Sequence, residues 1–357
     1  MKLAVLSYSH HGRSIGRTAR DLGHEIVGVM DGELIPRTQL ENEFSCSGFD
    51  TAGSCLDAVQ PEAALISGKH IEIPSHIQAC VDRRIPYLVD KPFADCASRL
   101  RPVAEATEKH DVFSALTLPN RASKIVALVK QMVADGSLGQ LVLYSSRLNN
   151  GSPMRYDPTP SSWHNIPSVS GGGCWATEAA HGIDTFLQFV GPGPITVVGA
   201  VMSNAMYSRQ IEDSAVGMLR SNDSVTGIIE SGYTFPSGAR RSGDHFFRFI
   251  GSKASVFAFY GKEGEPLIEV NTSSGTGFEE DLGHGERMRK VIDEGLSTLQ
   301  EERVPETNIL DAVRILEIQD AVYDHARTDP LTNGPHPMGM AEPDHRTVKF
   351  LYGRLVD

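Results

Sequence analysis

Val89-Asp90-Lys91-Pro92-Phe93-Ala94 closes an apolar, strand-like run that begins at Ile85. A carboxylate and an ammonium stand side by side where the run ends. Pro92 forbids its continuation, because proline offers no N–H to a ladder. A lysine at the carboxyl end of a strand in an open α/β sheet sits where ligands bind. The same rhythm holds upstream. Residues 3–6 form a short apolar run that ends in Ser7-Tyr8-Ser9-His10-His11-Gly12, and a helical stretch follows from about 13 to 22, stopped by Gly23. Residues 26–30 read as a second buried strand ending at Asp31, and residues 63–66 as a third ending in Ser67-Gly68-Lys69-His70. Helices over 74–83 and 97–108 flank the Lys91 strand, and a further strand lies at 112–116. Strands alternating with helices predict a parallel, doubly wound sheet of the Rossmann α/β type, opened by the β-α-β layout of a dinucleotide fold.

After Asn120 and Arg121 the rhythm changes. A helix over 123–135 carries Ile125, Leu128, Val129 and Met132 on one face. Strand-like runs follow at 141–148, 195–202, 215–219, 224–235, 245–250, 255–259 and 267–270. Turns rich in Gly, Pro, Asn, Asp and Ser separate them, which predicts a large, mainly antiparallel sheet. The chain thus divides into a dinucleotide-binding Rossmann domain, 1–119, and an α+β substrate-binding and oligomerisation domain, 120–357. Helices over 286–300 and 309–325 come last. The Pro/Gly-rich stretch 328–345 reads as irregular, and 348–355 as a strand or tail.

Within the second part, Gly171-Gly172-Gly173-Cys174-Trp175-Ala176-Thr177-Glu178-Ala179-Ala180-His181-Gly182-Ile183-Asp184 runs three glycines into a helix. His181 and Asp184 lie one turn apart on it. Together with Asp90-Lys91-Pro92, this segment resembles the two signature motifs of the Gfo/Idh/MocA family of NAD(P)-dependent oxidoreductases, E-K-P and G-G-G-x-x-x-D-x-G-x-H-x-x-D. The resemblance covers most of the chain, in order and at the usual distances. It implies an open-faced second sheet that meets a partner subunit, hence a homodimer or homotetramer, and an uncovered sheet of that size is itself an association surface.

The turn of the first strand departs from G-x-G-x-x-G, since its positions fall on Ser7, Ser9 and Gly12. Serine is the next smallest polar choice, and some family members carry such a turn. Ser7, Ser9, His10 and Gly12 are therefore read as cofactor-binding. So are Ser67, Gly68 and His70, at a strand's carboxyl end, and Lys91. Asp31, 24 residues after Ser7, can accept the ribose hydroxyls of NAD and repel the 2′-phosphate of NADP. Arg37 nearby keeps NADP open as an alternative. His10, His11, His70 and His76 lack metal-ligand spacing and are read as polar rim or surface residues, so no metal site is expected.

Dehydrogenation of a hydroxyl needs a base for its proton and a positive group for the oxyanion. His181, with a reference pKa of about 6.5, suits the first role. Lys91 suits the second and, by the resemblance, helps to position the nicotinamide. Lys91 and His181 are the candidate catalytic pair. The glycine run is expected to let the backbone approach a ligand. Asp184 is expected to orient the His181 ring or bind a hydroxyl. With Asn120, Arg121, Trp163 and Thr177 it makes up the candidate substrate set, with Arg147 to Asn150 and His164 close by in sequence.

The family's acid falls on Thr177, which takes no proton at neutral pH. Glu178 is one residue on, about 100° round the helix, and is not expected to replace it.

The resulting reading is hydride transfer between NAD and a sugar, cyclitol or related polyhydroxy compound. An NAD-dependent glycosidase and a non-catalytic nucleotide-binding sensor or corepressor are the alternatives. A net charge of -12 argues against nucleic acid or an anionic membrane as partner. Hydrophobic content of 40% and charged content of 22% are ordinary for a soluble globular protein. Five cysteines without metal-type spacing, no apolar stretch of membrane-span length and no signal-peptide pattern suggest a cytoplasmic protein.

Overall fold

The computed structural model describes residues 1–9, 11–158, 161–236 and 243–328. His10 and the tail beyond Thr328, including the expected final strand, lie outside the described residues.

The first half alternates as the hydrophobic rhythm predicts: β1 (Lys2–Leu6), α1 (Gly12–Asp21), β2 (Glu25–Met30), α2 (Leu34–Phe44), β3 (Ser47–Phe49), α3 (Ala52–Val59), β4 (Ala63–Ile66), α4 (Ile73–Asp82), β5 (Tyr87–Asp90), α5 (Ala97–Lys109) and β6 (Ser114–Thr117). The strands pair in parallel in the order β3-β2-β1-β4-β5-β6. This is the doubly wound order, and its switch point lies between β1 and β4, where ligands bind. β4, β5 and β6 are buried at every residue, as a sheet covered on both faces requires. The segment α2-β3-α3 was not anticipated. Leu34 and Ile35 of α2 are exposed while Pro36, Leu40 and Phe44 are buried, so its apolar residues form no single stripe, and β3 is three residues long.

The second half comprises α6 (Lys124–Ala134), β7 (Leu141–Asn149), α7 (Pro167–Ser170), α8 (Cys174–Val190), β8 (Ile195–Ser203), β9 (Ser214–Ser221), β10 (Thr226–Gly232), β11 (Asp244–Gly251), β12 (Ala254–Tyr260), β13 (Pro266–Thr272), β14 (Gly275–Glu280), α9 (His284–Gln300) and α10 (Ile309–Thr328). Among the described residues its eight strands run in the order β14-β13-β12-β11-β7-β10-β9-β8, antiparallel except for the β7–β10 pair. The edge strand β14 escaped the sequence reading because all six of its residues are exposed, leaving no alternation to detect. α8 packs on β7, β9 and β10. Val142, Val198, Val201, Met218 and Phe278 of this sheet remain exposed.

The strands fall on either side of residue 120, but the last helices return to the first sheet. Met288, Ile292 and Leu296 of α9 join Leu3, Val5, Leu88 and Ala115 in one apolar cluster. α10 packs on α5, α8 and β8. α9 thereby packs against the first sheet, and α10 joins α5 to the second sheet.

Candidate active site

The turn after β1 depends on one glycine and one unusual serine. Ser7 adopts φ 79°, the left-handed region that glycine favours. A side chain at Gly12 would run into the Ser7 carbonyl. Ser7 holds its conformation through its hydroxyl, which donates to Asp31 Oδ2 at 3.1 Å, and the Tyr8 N–H donates to the same oxygen at 3.0 Å. Asp31 Oδ1 accepts the Glu33 N–H at 2.9 Å, so one acceptor site of the carboxylate is left over. Arg37 donates to the Asp31 carbonyl at 3.0 Å. From β4, the Ser67 hydroxyl donates to the Ser9 carbonyl at 3.2 Å and accepts the His11 N–H at 3.3 Å. The structure thus brings Ser7, Ser9, Gly12, Asp31, Ser67 and Gly68 together at the switch point. These groups fit a dinucleotide: a close-packed glycine turn opening a helix, with a carboxylate at the end of the next strand.

Lys91 follows β5 on a cis Lys91–Pro92 peptide and is 2% exposed. Its ammonium donates to the Thr177 carbonyl at 3.0 Å and meets Glu178 Oε2 at 3.5 Å. The other Glu178 oxygen accepts from Asn150 at 3.0 Å and Arg155 at 3.2 Å. Burial would push the Glu178 carboxyl up. The Lys91 and Arg155 cations outweigh it and hold the group well below the usual carboxylate range. His181 stands one turn further along α8. Burial, reinforced by the Lys91 ammonium, pushes its imidazole well below the ordinary value of 6.5, so it is neutral at pH 7. Its Nδ1 has no partner among the described residues.

Glu178 is the residue the sequence reading passed over. Thr177 and Glu178 lie four and three residues before His181, and both positions flank the histidine's helical face. A carboxylate one residue late still reaches the lysine. The signal was present: apart from Glu178, His181 and Asp184, α8 carries almost no ionisable side chain and is nearly all apolar, which marks any carboxylate in it as paired or functional.

These side chains line a cavity of about 460 Å³ between the two sheets. His11, Lys91 and Asn120 come from the first sheet and its continuation. Glu178 and His181 come from α8, and His284 and Arg287 from α9. Leu148, Asn150, His245, Phe247 and Tyr260 come from the second sheet, with Arg155, Tyr156 and His164 from the segment after β7. Apart from Leu148, Asn150 and His164, the cavity residues from α9, the second sheet and the segment after β7 had no local signature, because distant strands and helices bring them together.

Several expectations are corrected. The three glycines do not open the backbone to a ligand; their missing side chains admit Asp95, Tyr323 and Glu212. Glu212 caps α8, its Oε1 accepting the Gly173 and Trp175 N–H groups at 2.9 Å each. Asp184 does not orient His181. Arg121 takes it in a forked ion pair, the shortest bond being 2.6 Å, and neither residue reaches the cavity wall. Thr177 faces Lys91 with its carbonyl and is not on the wall either. Trp163 stacks behind His164 with ring centroids 3.6 Å apart, and His164 takes the cavity position. His70 and His76 are buried rather than at a rim, and burial pushes both down to about 4. His70 Nδ1 donates to the Ser170 carbonyl at 2.6 Å, so that ring edge is turned to the protein. Among the described residues no group of three or more His, Cys, Asp or Glu is placed to hold a metal ion.

Residues 126–257 match the GFO/IDH/MocA C-terminal domain. A levoglucosan dehydrogenase of Pseudarthrobacter phenanthrenivorans is 24% identical over 173 residues, a match spanning 47% of this chain and 39% of that protein. A solved levoglucosan dehydrogenase in complex with NADH and levoglucosan superposes with a TM-score of 0.79 at 16% identity, covering 91% of this chain and 97% of the other. An oxidoreductase from Agrobacterium radiobacter in complex with NAD+, L-tartaric acid and magnesium gives a TM-score of 0.77 at 14% identity, covering 92% and 96%. At these identities the structural likeness is one of fold, and it extends to both sheets. The family resemblance read from the two motifs is thus borne out over residues 126–257, which match the C-terminal domain of that family.

Proposed function

We propose that this chain is an NAD-dependent dehydrogenase of a sugar, cyclitol or related polyhydroxy compound. The observation that carries the reading is the buried Lys91–Glu178–His181 cluster in a cavity beside the dinucleotide turn. Held by Ser7 to Gly12 and Asp31, NAD would supply the hydride acceptor. Lys91, kept in position by the Thr177 carbonyl and Glu178, offers a fixed ammonium where a substrate hydroxyl becomes an oxyanion. His181 is neutral at working pH and accepts the hydroxyl proton. Asn150, Arg155, Tyr156 and His164 offer donors and ring faces to a polyol.

Asp31 and the single acceptor site it keeps support NAD over NADP. The exposed Val142, Val198, Val201, Met218 and Phe278 support association through the second sheet, as a homodimer or homotetramer. A monomeric mass by light scattering at micromolar concentration would remove that part of the reading. The five cysteines are free thiols, three of them buried, which fits a reducing, cytoplasmic setting. No helix among the described residues is long and apolar enough to cross a membrane.

A screen of polyols, sugars and sugar phosphates for NADH formation tests the function. Stoichiometric NADH with at least one compound is expected. Cleavage of aryl glycosides without net NADH would replace the reading with NAD-dependent glycoside hydrolysis. NAD binding with no turnover at all would favour a nucleotide sensor.

A further inference from the structure

The cavity wall carries more positive charge than its own carboxylates balance. Lys91 and Arg155 share Glu178. Arg287 of α9, 8% exposed, has no such partner. Its Nη1 donates to the neutral Asn120 amide oxygen at 3.0 Å, its Nε has no partner, and no carboxylate among the described residues reaches ion-pair distance of it. The other carboxylate on the wall, Asp281, is engaged elsewhere: its Oδ1 accepts the Lys124 and Leu282 N–H groups at 2.8 and 2.7 Å. The neighbouring histidines add no charge to offset. Burial, with Arg287 nearby, pushes His284 down to about 4, and burial lowers His245 as well. A guanidinium stays protonated at any working pH, and a buried one is ordinarily paired. The missing counter-charge is therefore to be sought in what enters the cavity.

We propose that Arg287, steadied by Asn120, anchors an anionic group of the substrate, a carboxylate or a phosphate, so that the preferred substrate is a sugar acid or sugar phosphate. The inference rests on the dehydrogenase reading above for its substrate class. A guanidinium fork binds either oxyanion in the same way, through charge-assisted N–H donors.

Matched pairs test it: D-glucuronate against D-glucose, D-galacturonate against D-galactose, and glucose 6-phosphate against glucose. NADH formation and, independently, binding to the NADH-loaded protein by titration calorimetry are measured for each. The anionic member of a pair should be favoured by about 10- to 100-fold, the range for a hydrogen bond to a charged group. The uronate and phosphate arms separate the two anion types. Arg287→Met should erase the preference by raising KM or Kd for the anion, with the NAD dissociation constant unmoved. Arg287→Lys, which keeps the charge, should restore part of it. Equal or better use of the neutral members, or an Arg287→Met defect in NAD affinity instead, would overturn the anchor. If nothing is oxidised but anions still bind through Arg287, the anchor stands and the dehydrogenase reading falls. If neutral sugars are oxidised without regard to charge, the reverse holds.

Discussion

The turn Ser7–Gly12 and helix α8 both depart from the pattern their family motifs lead one to expect, and they recover by different means. In the turn, the site is made by backbone path. Ser7 can stand where glycine is usual because its hydroxyl is bonded to Asp31, which holds the φ of 79°. In α8 the site is made by a side-chain charge. No backbone adjustment replaces a carboxylate; here one stands a residue later, as Glu178, 3.5 Å from the Lys91 ammonium. A backbone-defined site tolerates changed side chains, whereas a charge-defined site must keep the charge and can move its attachment.

The largest effect should follow from Glu178→Gln. It leaves the buried Lys91 ammonium without its carboxylate, at a cost of about 3–5 kcal/mol in stability, and takes the same partner from the more exposed Arg155. It also frees the ammonium from its position, so turnover should fall by roughly 10²–10³. Thr177→Val keeps the carbonyl that holds Lys91 and should change turnover far less. If Thr177→Val were the more damaging variant, the carboxylate would not have moved. Steady-state kinetics and urea unfolding of the two variants measure both quantities.

Buried neutral histidines give the next effect. His70 and His76 titrate near 4 in the folded protein, against 6.5 when exposed. Between these values the unfolded chain binds more protons, so stability falls as pH drops below 6.5. Each histidine contributes up to about 1.4 kcal/mol per pH unit in that window. The urea midpoint should be level from pH 8 to 7 and decline steeply by pH 5. A midpoint unchanged at pH 5 would mean that these rings are solvated. The smallest effect concerns the turn. Asp31→Ala should narrow the preference for NAD over NADP by roughly tenfold, the value of one lost charge-assisted hydrogen bond. Tighter NADP binding by the unmodified protein would contradict the role given to Asp31.

The order of strands and helices was legible because buried parallel strands and amphipathic helices leave their periods in the sequence. α2, β3 and β14 were not, since they lack a single apolar stripe or any buried residue. At the site, Lys91 and His181 were legible because each sits in a local motif. Glu178 is one helical step from Thr177 but three from His181, and the second spacing is the one that places it in the site. The roles of the glycines and of Asp184 were misread, because their partners Glu212, Tyr323 and Arg121 are distant in sequence. Arg155, His245, His284 and Arg287 carried no signal, since only the packing of α9 and the second sheet against the first brings them to one cavity.

The most direct test of the catalytic centre is Lys91→Met, assayed for turnover and for NAD affinity on the same preparation. In the proposed function the ammonium acts on the substrate oxygen, while Ser7, Ser9, Gly12 and Asp31 hold the dinucleotide. The account predicts a fall in kcat of about 10²–10³ with the NAD dissociation constant nearly unchanged. Near-normal turnover, or a loss confined to NAD affinity, would contradict it and make Lys91 a structural residue.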